Sequence, residues 1–82
     1  MTIITSEGVA LVDRINVGEN VEIRAYFQPH KGVIKAHIRF VTVNDDGGVG
    51  YTTRGIAVDP ELLDKLLRAV ALLAAERGVL GV

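Results

Sequence analysis

The side chains in this sequence best suited to chemistry are cations and rings at alternating positions: Arg24 and Tyr26, then Lys35, His37 and Arg39. Alternate positions on an extended chain share a face, so two strands here would project all five from one side of a sheet. Lysines and arginines on such a face follow a phosphate backbone, and a ring among them stacks on an exposed base with little regard for its identity. The local charge agrees. From Arg24 to Arg54 there are five basic residues (Arg24, Lys31, Lys35, Arg39, Arg54) against two acids, Asp45 and Asp46, in a chain whose net charge is −1. Glu22 is the one acid that the alternation puts on the same face.

Other constellations lack the context that their chemistry needs. Asp45-Asp46 runs into Gly47-Gly48 and reads as a solvated turn rather than a carboxylate pair. His37 has no carboxylate near it in sequence, and His30 falls in a turn beside Pro29. The glycines at 47, 48 and 50 do not lead into a helix, as a phosphate-binding loop would. There is no cysteine, which removes disulfides and thiolate metal sites. The sequence therefore predicts no enzyme, no metal, no cofactor and no small-molecule substrate.

Four strands must position the alternating residues. Val9 to Val17 is crowded with apolar side chains and ends at Gly18-Glu19-Asn20, where Gly and Asn tolerate the positive φ of a tight turn. Val21 to Gln28 alternates, with Val21, Ile23, Ala25 and Phe27 opposite Glu22, Arg24, Tyr26 and Gln28. Pro29-His30-Lys31-Gly32 is the next turn, and Val33 to Val43 alternates again, with Ile34, Ala36, Ile38 and Phe40 on the apolar side. Asn44 to Gly48 turns the chain into a fourth strand, Val49 to Val58. Residues 1–8 read as a short leader and 9–82 as one domain.

The period then changes. Asp59 suits an N-cap, Pro60 the first helical position and Glu61 the positive end of the helix dipole. The apolar spacing predicts a helix over Pro60 to Arg77, closed by Gly78. The fold class is α+β: a four-stranded curved antiparallel sheet followed by one C-terminal helix, β-β-β-β-α. The first half of the helix has a polar face, but Ala69 to Ala75 is apolar all round. One sheet face covers one stripe of a helix, not its whole girth. At 82 residues a single core is marginal, and oligomerisation commonly supplies the deficit. A homodimer through the helices follows, with Leu66, Val70, Leu72 and Leu73 at its interface. The longest apolar stretch is far short of the roughly 20 residues of a membrane span, and the first residues lack a signal-peptide pattern. The expectation is no membrane and a cytoplasmic location, nucleoid-associated in a prokaryote.

The order of these features resembles the C-terminal domain of the eukaryotic transcriptional coactivator called positive cofactor four and its prokaryotic and phage relatives. Three stretches carry the likeness: Ile15 to Gly18 with Val21 to Tyr26, then Lys31-Gly32 with Ile38-Arg39, and above all Arg54-Gly55-Ile56-Ala57-Val58-Asp59-Pro60-Glu61. The resemblance implies a sheet followed by a dimerising helix, and sequence-tolerant binding of single-stranded DNA or the separated strands of melted duplex. The expected role is in transcription, replication or repair, with RNA left open as a partner. It places Arg24, Tyr26, Lys31, Arg39 and Arg54 at nucleic-acid-contacting positions, while Lys35 and His37 come from the alternation. The family's tryptophan after the Ile-Arg strand has no counterpart here, and its lysine-rich turn is reduced to Lys31. Fewer cations imply weaker binding with a shallower salt slope. The alternative is a dimeric protein-interaction module of the same fold that has lost nucleic-acid binding.

Overall fold

The computed structural model describes residues 3, 4 and 8–82. One antiparallel sheet has the order β1 (Ile3–Ile4), β2 (Ala10–Gly18), β3 (Val21–His30), β4 (Val33–Val43) and β5 (Val49–Val58), followed by a 3-10 turn (Pro60–Leu62) and the helix α1 (Leu63–Leu80). The four long strands lie, within a residue or two at their ends, where the sequence puts them. Within the segment expected as a leader, Ile3–Ile4 pairs with Leu11 and Ala10 along the edge of β2; residues 1, 2 and 5–7 lie outside the described residues.

The turns follow from local chemistry. Asn20 has φ 58°, as a tight turn requires. Lys31 and Gly32 both take positive φ, 53° and 80°, the geometry of a two-residue hairpin matched to strand twist. Strand β3 accordingly runs through Pro29 and His30, and the turn is shorter than the four residues expected.

The helix departs from expectation at both ends. Asp59 leads it without a side-chain cap, because its carboxylate pairs with Lys35 of β4. Gly78 does not end it. The helix continues through Val79 and Leu80 to Gly81, which takes φ 72° and donates its N–H to the Arg77 carbonyl.

The largest departure concerns what is buried. Register puts Ile23, Ala25, Phe27, Ala36, Ile38, Phe40, Ile56 and Val58 on one face of the sheet and Glu22, Arg24, Tyr26, His37, Arg39, Val41 and Tyr51 on the other. The expectation was an apolar face covered by the helix and a polar face in solvent. In the single chain Val41, Arg24, Tyr26 and His37 of the second face are buried, whereas of the apolar face only Ala36 is, with Ile23, Ala25, Phe27, Ile38, Phe40 and Val58 half-buried. The apolar face leaves Ile34 57% and Ile56 43% exposed. The helix covers little of it: Leu63 and Leu66 are half-buried, and every residue from Leu67 onward is exposed. No described helix is long and apolar enough to cross a membrane.

Candidate nucleic-acid interface

The face that carries the cations is built by β3 and β4, whose register sets Arg24 against Arg39 and Tyr26 against His37. The side chains close over one another. Tyr26 and His37 stack with ring centroids 4.9 Å apart and planes within 2°. Tyr51 of β5 meets the Tyr26 ring edge-on at 5.1 Å, an arrangement favoured by the aromatic quadrupole. Arg24 donates from Nε to Glu22 Oε1 at 3.0 Å and from one terminal nitrogen to the Tyr51 hydroxyl at 3.4 Å. Arg39 donates from Nε to His37 Nδ1 at 3.2 Å and from a terminal nitrogen to the Thr53 carbonyl at 3.1 Å.

The electrostatics follow from these contacts. Burial alone would lower the Arg24 pKa, but hydrogen bonds and charge from Tyr51 and Glu22 outweigh it and hold the guanidinium above its usual value. Arg24 thus stays charged and is matched by Glu22. Burial, with a smaller contribution from Tyr51, raises the Tyr26 hydroxyl pKa against the pull of the Arg39 charge. Arg39 itself donates to neutral acceptors, so its positive charge is available to an outside anion.

The sequence-derived residues divide into two groups. Arg24, Tyr26, His37 and Arg39 come together on one face. Arg24, Tyr26 and His37 do so as buried groups, 5%, 4% and 8% exposed, and not as the solvent-facing platform that alternation suggested. One face of the Tyr26 ring is already taken by His37. Lys35, half-buried, is committed to Asp59 and ties β4 to the start of the helix. Lys31 is exposed at the tip of the β3–β4 hairpin, roughly 20 Å along the strands from the Arg24–Arg39 pair at 3.3 Å per residue.

Arg54 lies elsewhere. Arg39 pairs with Gly55 and Val41 with Tyr51, so residues 52–54 bulge opposite Phe40 alone. The bulge puts the Arg54 guanidinium 4.6 Å from the centre of the Phe40 ring, on the side of Phe40 rather than with Arg24. Gly55 permits this close crossing: a Cβ there would meet the Ile38 carbonyl oxygen at 2.2 Å and Arg39 Cα at 2.6 Å, at φ 147°.

Two residues on the cationic face escaped the sequence. Tyr51 did so because the bulge breaks the parity of β5. Arg14 did so because β2 has an irregularity between Leu11 and Asp13, after which Arg14 pairs with Arg24. Among the described residues no group of three or more side chains is placed to hold a metal ion.

This is an α+β meander with a cationic, aromatic inner face, a partly exposed apolar outer face and a nearly free helix. Two crystal structures of BPSL1147, a PC4 homolog from Burkholderia pseudomallei, share the fold. The orthorhombic form matches with TM-score 0.76 and 25% identity over 83% of this chain and 92% of that one. The tetragonal form matches with TM-score 0.73 and 24% identity over 80% and 97%. No family model and no curated protein matches the sequence. By fold the chain is PC4-like, similar to these homologs from Burkholderia.

Proposed function

We propose that this protein is a homodimer that binds single-stranded DNA, or the separated strands of melted duplex, with little sequence preference, and that it acts in transcription, replication or repair without catalysing a reaction. The observation that carries the binding is the register of Arg24 with Arg39 on a ring-bearing face where Glu22 is the paired acid. Arg39 supplies the charge and the Tyr26–His37–Tyr51 cluster fixes its position. The PC4-like fold supports the same reading.

Dimerisation is argued from surface. The chain exposes 6200 Å², whereas a folded monomer of its mass, 8.8 kDa, should expose about 4,800 Å². Its radius of gyration, 14.3 Å, also exceeds the roughly 11.7 Å expected for this length. Much of the excess is apolar. It lies on the outer sheet face and on Leu67, Val70, Leu72 and Leu73 of the helix, which are 68%, 52%, 54% and 71% exposed. A second copy laid on this surface gives both helices a partner and leaves both cationic faces open.

The test is fluorescence anisotropy with a labelled oligo-dT at low and high salt. Salt-sensitive binding that Arg39→Ala weakens supports the proposal; absence of binding at low salt sinks it. In that case the second reading takes over, a dimeric protein-interaction module. The observation favouring it is that Arg24, Tyr26 and Lys35 are already committed within the chain.

A further inference from the structure

We infer that Arg14, outside every stretch that resembles the positive cofactor four family, forms with Arg39 a two-point seat for a phosphate backbone running across the strands. The seat presupposes the nucleic-acid reading and adds to it a binding residue and the direction of the bound strand.

Register places Arg14 of β2 against Arg24 of β3, and Arg24 against Arg39 of β4. Three arginines therefore lie side by side in one row across three strands. Like charges directly opposite on a sheet are unfavourable, so what offsets each of them matters. Glu22 offsets the middle one: the Arg24 and Glu22 side chains are only 7% and 16% exposed and form an ion pair with each other. No ion pair among the described residues involves the outer two. Arg39 has neutral acceptors in His37 and Thr53. Arg14 is exposed, and it is its backbone N–H, not its guanidinium, that donates to the Asp13 carboxylate.

The row thus presents two arginines outside any ion pair, on backbones two strand spacings apart, about 10 Å. A chain of phosphates can engage both, with one seated on Arg14, another on Arg39, and the paired Arg24 and Glu22 between them. Beyond Arg39 the row ends at Gly55, an exposed glycine with no side chain to block a strand continuing across β5. The row also lies away from the surface assigned to dimerisation. The cleft between helix and sheet, where Leu63 meets Val12, Ala25, Phe27, Ala36 and Ile38, also takes in Tyr26 and His37, but none of the three arginines lines it.

The experiment titrates fluorescent dT20, and an abasic oligonucleotide of equal length, with the full chain and its Arg14→Ala, Arg14→Lys and Arg77→Ala variants. Arg77, at the far end of the helix, is the control. For Arg14→Ala we expect affinity to fall about three- to tenfold on both oligonucleotides, because the group bound is phosphate. The slope of log affinity against log salt should shrink by about 0.7, the share of one phosphate no longer neutralised. Arg14→Lys should restore most of both, and Arg77→Ala should change neither. Wild-type binding that Arg14→Ala leaves unchanged in affinity and slope overturns the arginine row alone. A wild type that binds neither oligonucleotide overturns the nucleic-acid reading and the row with it. A loss on dT20 but not on the abasic strand overturns the phosphate assignment.

Discussion

Truncating Leu73 to alanine should weaken self-association by roughly 300-fold while barely altering the fold of the protomer. Leu73 is 71% exposed in the single chain, so most of its side chain has no intrachain packing to forfeit. The substitution removes three carbons, worth about 0.8 kcal/mol each when fully buried. Scaled to the exposed share, that is about 1.7 kcal/mol per protomer, and a two-fold dimer forfeits it twice. About 3.4 kcal/mol corresponds to the stated change in dissociation constant. Sedimentation velocity across a concentration series measures it directly, and the thermal midpoint should fall on dilution as dimer dissociates. A wild type that sediments as a monomer at micromolar concentration refutes the reasoning, as does Leu73→Ala with the wild-type dissociation constant. The first result would mean that no second copy covers the helix, and the second that the copies meet through another surface.

Other expectations concern the inner face. Glu22→Ala leaves the buried Arg24 guanidinium without its counter-charge and should cost about 3 kcal/mol in a urea titration. Gly55→Ala should destabilise strongly, by about 2–3 kcal/mol or more, because its Cβ collides with backbone at a φ that non-glycine residues avoid; near-wild-type stability would show that the close crossing of β4 and β5 is wrong. Tyr26 has a raised pKa in the folded chain, so its protonated form is the stabilised one. Its contribution is complete below the ordinary tyrosine value of roughly 10 and is lost as pH rises through the folded value. Chemical denaturation from neutral to strongly alkaline pH should therefore show declining stability, and Tyr26→Phe should flatten that decline.

Much of this molecule was legible from local pattern. Period-two alternation located β3 and β4 and sorted Arg24, Tyr26, Lys35, His37 and Arg39 onto one face, because a strand's side-chain direction is fixed by its backbone. Gly18 to Asn20, Pro29 to Gly32 and Asn44 to Gly48 marked the turns through their Gly, Pro and Asn residues, although the second closes over Lys31-Gly32 alone. The apolar girth of the helix announced a surface that one sheet cannot cover.

What alternation cannot encode is where the chain slips register, how a sheet curls, and which long side chains reach one another. The bulge at residues 52–54 carried Arg54 to the Phe40 ring and brought Tyr51 to Tyr26. The irregularity in β2 set Arg14 beside Arg24. The pairing of Lys35 with Asp59 joins residues 24 apart in sequence, a distance over which spacing carries no signal. The sequence by itself determined the four long strands, the helix, their order and which residues of β3 and β4 share a face, since these depend on neighbours along the chain. Only the tertiary structure decided that Arg24, Tyr26 and His37 are buried on the cationic face while Ile34 and Ile56 stay exposed on the apolar one, because burial depends on what the whole chain leaves uncovered.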